Sequence, residues 1–484
     1  MSVPSTVPVG ATKDKLAWFA KLPTSLRPGL RKRHCGPSGF GQIVTPLTVG
    51  NAEQASEMYA GRFAFAGQII VASPSDVFAQ SHAKPEWRSA MAGLDWLTHC
   101  NASNRNLHDQ YAMRLLHYWS HSKHAATDIA AQTRILISLA TDGQMIARRC
   151  EASNQALYFE IVAHELKILL KLSAGHSGQS LNKAIALLYC LNGFQGLGHL
   201  RELAYELIER NLDRVILADG GHASRSAQNL IIFLERVIPL QLTKTPIMPP
   251  FLSRALENGL AMLHLLQCAD GKLTGLITEN YDAKRLQRLF DVWQIEIPKL
   301  NLAPQSSFAR IDHEKATLIA YTSTKLGLDF SDGKQKLVQT QSLENRHTSP
   351  AIMQTAPQGT VLVMQNANQK RTCFLSADGL DLRIEDEFGI NVVGEILIQV
   401  ALGIRLSSLM EGQAVMFVLP DQSVWHLKQR GGTVHIRQSN GHYEILILCD
   451  GNKLGGKINW SLKKQAKAVK GPRKKPEFET GLLI

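Results

Sequence analysis

Apolar residues recur at one spacing in the first three-fifths of this 484-residue chain and at another in the rest. Over 157–172, Leu157, Ile161, Leu166, Leu169 and Leu170 are three to five positions apart or adjacent, with Glu160, Glu165 and Lys167 between them. That is the stripe of an amphipathic helix. Leu200, Leu203, Leu207, Ile208, Leu212 and Ile216 repeat the theme over 200–217, and further helical runs fall at 107–119, 126–148, 182–192, 227–240 and 251–267. After the connection 297–307 the spacing drops to two. Short strands are expected at 317–321, 359–363, 396–400, 414–418 and 444–448, with turn formers between strands at Ser331-Asp332-Gly333, Ala377-Asp378-Gly379, Pro420-Asp421, Gly431-Gly432 and Asn440-Gly441. One stretch cannot satisfy both periods, so the chain is expected to be an α + β multidomain protein: a helical domain followed by an antiparallel β-sandwich. The expected division is an irregular basic arm over 1–50, helices over 51–300, the sandwich over 305–462 and a basic tail over 463–484.

Composition narrows the class. With 44% hydrophobic and 19% charged residues the chain is not disordered. No apolar run of about 18 residues is present, which argues against a membrane-spanning helix. Lys13, Asp14 and Lys15 stand where the apolar stretch of a signal peptide would be, so the expected compartment is the cytoplasm. Seven cysteines (Cys35, Cys100, Cys150, Cys190, Cys268, Cys373 and Cys449) are odd in number and widely spaced. They read as free thiols, with no zinc knuckle or redox pair and no cofactor implied. Of the net charge of +12, seven charges come from Lys463, Lys464, Lys467, Lys470, Arg473, Lys474 and Lys475, and a second cluster holds Arg27, Arg31, Lys32, Arg33 and His34. Such ends either stay solvated or contact a polyanion without reading its sequence.

Several short motifs fail on chemistry. His164-Glu165 lacks the second histidine a zinc-protease helix needs, since position 168 is Ile. Gly193, Gly196 and Gly198 follow a helical pattern rather than a strand, unlike a dinucleotide loop. His117, His121 and His124 share a helix face without an acidic or cysteine partner, which reads as a polar surface and not as a metal site.

The segment from Leu217 through Asp219-Gly220-Gly221-His222-Ala223-Ser224-Arg225-Ser226 resembles the Asp-Gly-x-His-x-x-Arg-Ser turn of the heparinase II/III-like superfamily. Other stretches agree in order along the chain. Gly61 to Gly67 is similar to a Gly-x-Phe-x-Phe-x-Gly stretch, and a tryptophan-rich part follows with Trp87, Trp96 and Trp119. Asp270-Gly271-Lys272-Leu273 resembles a later Asp-Gly turn, Leu326 to Gly333 a strand with its Gly turn, and Val415 to Trp425 a late hairpin. The resemblance covers roughly residues 55–462 and implies a toroid-like helical domain before the sandwich.

It also implies a chemistry: β-elimination on an acidic, uronate-containing polysaccharide. A neutralised carboxylate lets a Tyr or His take the adjacent proton, and a Tyr-type acid protonates the leaving oxygen. The resemblance makes His222 and Arg225 the candidate catalytic residues and Asp219, Asn229 and Gln358 the candidate substrate contacts. Asn229 lies where a tyrosine, usually followed by histidine, is expected, and Gln358 of Thr355 to Thr360 lies where a histidine is expected. Neither amide shuttles protons at ordinary pH. Tyr281 and Tyr321, distant in sequence, are the tyrosines considered for the vacated place. The expected function is thus a polysaccharide lyase or a divergent relative with a degenerate site. The alternatives are a non-catalytic glycan-binding or cell-envelope assembly protein, or a scaffold holding polyanions through Lys463–Lys475. The resemblance also admits a periplasmic location.

Overall fold

A computed structural model describes residues 36–122, 128–243, 247–276, 281–293, 296–322, 326–340, 351–409, 413–439, 442–449 and 454–465. The basic cluster from Arg27 to His34, Cys35, His124, the Asn440-Gly441 turn and the tail from Lys467 to Lys475 lie outside the described residues. An α-helical half precedes an antiparallel β-sandwich, as the change of period requires. Two compact units emerge: Met1–Ile43 with Val49–Ser173 and Tyr189–Arg201, and Val44–Thr48 with Ala174–Leu188 and Glu202–Ile484. The later helices therefore group with the sandwich in one unit.

In the first unit, the helix Ala52–Tyr59 starts at Asn51, whose side chain accepts from the Glu53 amide at 2.8 Å. The Gly61–Gly67 stretch is not helical. It forms a hairpin of Arg62–Phe65 with Gln68–Val71, turned by Ala66 and Gly67 at φ of 47° and 70°, the left-handed pair a tight two-residue turn demands. The tryptophans are core. The indole nitrogens of Trp87, Trp96 and Trp119 donate to the carbonyls of Phe63, Met91 and Ala92 at 3.1, 3.3 and 3.0 Å, so burial leaves none of these N–H groups unpaired. The expected helix 126–148 is interrupted. Ile129–Ser138 passes through a π-helical turn, Leu139–Gly143, into Gln144–Arg148. The turn buries Asp142, which accepts from Asn101 Nδ2 at 2.8 Å and whose acid is pushed up to about 6 by burial.

In the second unit, Ala227–Gln241 packs against Pro250–Leu266, with Leu230 and Leu234 of the first over Gly259 of the second. Pro250 takes the first helical position, where its missing N–H costs nothing. One eight-stranded sheet runs through Ala351–Ala356, Gly359–Gln365, Gln369–Ser376, Asp381–Val393, Leu454–Lys464, Val424–Arg430, Ala414–Val418 and Arg405–Leu409. The other runs through Gly432–Ser439, His442–Cys449, Glu395–Val400, Lys336–Thr340, Leu326–Ser331, Ala316–Thr322, Phe308–His313 and Leu302–Ala303. All five expected strands are present within these, and Leu454–Lys464 carries Lys463 and Lys464 as part of the sandwich rather than of a tail. Phe330 from one sheet meets Trp425 from the other edge-to-face at 5.6 Å in the shared core. Arg310, on Phe308–His313, donates through Nη1 to the carbonyls of His264 and Leu265 at 3.1 and 3.0 Å. It closes the C-terminus of Pro250–Leu266 and ties that helix to the sheet. Among the described residues no helix is long and apolar enough to cross a membrane.

Candidate functional site

Two helices of the second unit end in the same small device. After Arg201–Val215, Ile216 pairs with His222 around the turn Leu217–Gly221; after Pro250–Leu266, Gln267 pairs with Leu273 around Cys268–Lys272. The backbone bonds correspond: Leu217 N to Gly221 O and Cys268 N to Lys272 O, both 2.7 Å. Gly220 and Gly271 hold φ of 88° and 79°. Asp219 Oδ1 accepts from the Gly221 amide at 3.3 Å, as Asp270 Oδ1 accepts from Lys272 at 3.1 Å. The Asp-Gly pairs are thus turn chemistry first.

What each turn holds differs. Asp219 reaches the connection into the sandwich: Oδ2 accepts from the Ser306 amide at 2.7 Å and Oδ1 from its hydroxyl at 2.6 Å. Gln305 Oε1 accepts from the Ala218 amide at 2.8 Å, and Asn258 Nδ2 donates to Ala218 O at 3.0 Å. A Cβ on Gly220 would lie 2.0 Å from Asn258 O, and one on Gly221 would lie 1.8 Å from Ser306 Oγ. Both positions need glycine for close approach. The second turn docks on buried Asp329, whose Oδ2 accepts from Thr274 Oγ1 at 2.8 Å, Gly275 N at 3.1 Å and Lys336 Nζ at 2.9 Å. The later Asp-Gly turn and the Leu326–Gly333 stretch, read separately in the sequence, are two halves of this one contact.

Ser226 caps the helix Ala227–Gln241: its side chain accepts from the Asn229 amide at 3.0 Å. Arg225 precedes it at φ 57°, a conformation that costs a side-chain-bearing residue roughly 1 kcal/mol or more. Its amide donates to His222 O at 2.7 Å, and its Nη1 donates to the Tyr321 hydroxyl at 3.0 Å. Tyr321 lies on Ala316–Thr322, is 8% exposed, and packs its ring 4.8 Å from that of Phe308. The structure therefore joins Arg225 to one of the two distant tyrosines. The other, Tyr281, accepts from the Leu273 amide at 2.6 Å, and burial raises its phenol above the usual range. It braces the second turn.

His222 is half-buried. Its Nδ1 accepts from the Ser224 amide at 3.1 Å and lies 2.7 Å from the Ser224 hydroxyl, which in turn accepts from Asn229 Nδ2 at 3.1 Å. A backbone N–H can only donate, so this network assigns the neutral ring its proton on Nε2. Asp219, His222, Arg225 and Asn229 thus share one turn and cap, with Ser224, Ser306 and Tyr321 completing it. Gln358 is elsewhere: it lies in the edge hairpin of the other sheet, where its carbonyl accepts from the Ala377 amide at 2.9 Å. The serines carried no signal in the sequence, being common turn residues. Among the described residues no group of three or more His, Cys, Asp or Glu side chains is placed to hold a metal ion. His117 and His121 lie with rings 4.5 Å apart on one exposed face.

No family model matches the chain, and no curated protein matches it. Solved structures do. A heparinase III gene product superposes with a TM-score of 0.67 at 13% identity, over 89% of this chain and 88% of that one. The heparan sulfate lyase of Pedobacter heparinus gives 0.62 at 10% over 85% and 82%. The fold is that of the heparinase III polysaccharide lyases. A chondroitin AC lyase of Streptomyces coelicolor matches at 0.52 and 9% over 86% and 79%. The resemblance read from the sequence is borne out at the level of fold. In this lyase-fold chain, a helical half and the sandwich are both matched, since the superposition spans most of each chain.

Proposed function

We propose that this lyase-fold chain holds an acidic, uronate-containing polysaccharide at the Asp219–Asn229 turn and eliminates it slowly or not at all. The observation that carries this reading is the hydrogen bond from the Ser224 amide to His222 Nδ1. With Nδ1 accepting from the Ser224 amide, the ring carries N–H at Nε2 and no lone pair there to take a proton. Donors are what a carboxylate and hydroxyls require: imidazole N–H, the Arg225 guanidinium and the Asn229 amide. Asp219 acts behind them by latching the turn, and Gln358 serves, if the saccharide is long enough, as a separate hydroxyl contact.

The contact of Arg225 with Tyr321 favours a second reading, in which Tyr321 carries the proton and Arg225 neutralises the uronate. Elimination leaves a conjugated unsaturated uronate whose ultraviolet absorbance reports turnover directly. A missing acid or base lowers rates by about 10²–10⁴, so heparin, heparan, hyaluronan and alginate should give near-background growth while binding persists. His222→Ala and Asn229→Ala should weaken that binding. Robust absorbance growth abolished by Tyr321→Phe would establish the second reading. Growth abolished by His222→Ala would make His222 the base and end the first.

A further inference from the structure

In the sheet that ends at Leu302–Ala303, the strands Ala316–Thr322 and Leu326–Ser331 are buried on both faces. The other sheet keeps one face open, and a groove of about 610 Å³ crosses it. Two neighbouring rows of side chains line this groove. The registers place Phe374, Arg383, Ser461 and Lys428 side by side on adjacent strands, then Thr372, Glu385, Asn459 and Arg430 beside them. Four strands at about 4.8 Å spacing give each row a length of about 14 Å, enough for more than one sugar ring.

The charge of the groove is unbalanced. Glu385 is held by Lys457 at 2.7 Å, and Arg383 by Asp381 at 2.7 Å. Among the described residues Lys428 and Arg430, both exposed, make no ion pair. Two uncompensated cations flank Asn459 and Ser461, neutral groups suited to hydroxyls. Phe374 is covered by the Arg383 guanidinium, 5.6 Å from its ring centre. A nucleic-acid base would have to displace that guanidinium to stack on the same face. We propose that this open sheet face is a second binding site, for an acidic polysaccharide, with Lys428 and Arg430 as its charge-reading residues. It goes beyond the proposal for the Asp219–Asn229 turn and needs none of that turn's residues.

The test is calorimetric titration of the full chain with a size-defined heparin hexasaccharide. Lys428→Ala with Arg430→Ala should weaken one binding event about tenfold to a hundredfold, and Lys428→Arg with Arg430→Lys should restore it. His222→Ala with Asn229→Ala should leave that event intact, which separates its failure from failure of the turn. An uncharged dextran of the same length should not bind. Both substituted side chains are exposed, so an unchanged melting curve certifies the variants. Unaltered affinity and stoichiometry in the double alanine variant would overturn the proposal. So would tighter binding at the groove by an oligothymidylate of equal charge, since that makes the site a nucleic-acid surface.

Discussion

Asp219 distinguishes a latch from a ligand contact, and a double-mutant cycle with Ser306 tells them apart. The carboxylate accepts three hydrogen bonds: Ser306 N at 2.7 Å, Ser306 Oγ at 2.6 Å and Gly221 N at 3.3 Å. Bonds to a charged acceptor contribute about 1.5–3 kcal/mol when well shielded. Asp219 is only half-buried, and the third bond is long, so Asp219→Ala is expected to cost about 2–4 kcal/mol in total. Ser306 is 4% exposed, and much of that cost is its amide and hydroxyl left without acceptors. Ser306→Ala removes only the hydroxyl bond and should cost about 1 kcal/mol.

Because both substitutions break the same contact, their effects should fall short of additive by at least about 0.5–1 kcal/mol. Urea unfolding gives the four stabilities, and amide exchange over 217–226 and 304–307 reports the latch locally. A carboxylate facing a polyanion would repel it, so Asp219→Ala should weaken saccharide binding only by loosening the turn. The reasoning fails if Asp219→Ala stays within about 0.5 kcal/mol of the parent, adds to Ser306→Ala without coupling, and changes binding alone.

Gly220→Ala places a Cβ 2.0 Å from Asn258 O on a residue at φ 88°, so a loss of at least about 3 kcal/mol is expected in chemical unfolding. Burial holds Asp142 protonated to about pH 6 against an ordinary value of 3.8. The native state therefore binds more protons across that interval, and this group's contribution falls as pH rises from about 4 to 6. Asp142→Asn should flatten that fall, worth up to about 3 kcal/mol, in melting curves taken across the range. Removing residues 466–484, beyond the last strand, should lower retention on a heparin resin while the melting temperature moves by no more than about 2 °C; a large loss of stability would show that this segment packs on the body.

The architecture was legible because periodicity reports burial directly. The five expected strands alternate cleanly or run fully apolar, whereas Gln369–Ser376, Asp381–Val393 and Leu454–Lys464 escaped notice. These central strands carry charges inward as well as outward. Asp386 is buried against Arg371 Nε at 2.5 Å and Trp460 Nε1 at 3.1 Å, which breaks the apolar alternation. The hairpin at Arg62–Val71 was hidden for another reason: a four-residue strand is too short to show a period of two against a helical neighbour. In the candidate site, the turn residues were visible in order along the chain. Tyr321, 96 positions from Arg225, had no local signal tying it to that turn.

The motifs that carried the resemblance are those whose chemistry is architectural. Asp219 and Asp270 close identical turns, Gly220 admits Asn258 O, and Asp329 receives the second turn through three donors. Each of these sets a backbone path, so replacing one costs stability wherever the fold is kept. Asn229 and Gln358 are under no such constraint. At position 229 the exposed side chain lies on the first turn of a helix already capped by Ser226, and Asn satisfies Ser224 Oγ there. At position 358 a surface hairpin tolerates Gln, because the ladder bond comes from its carbonyl. The side chains at both places are free to change while the turn and the sheet stay as they are. That separation lets 9–13% identity coexist with superposition over most of the chain. It also makes the contact between Arg225 and Tyr321 informative, since neither helix cap nor strand requires an arginine held at φ 57° against a tyrosine hydroxyl.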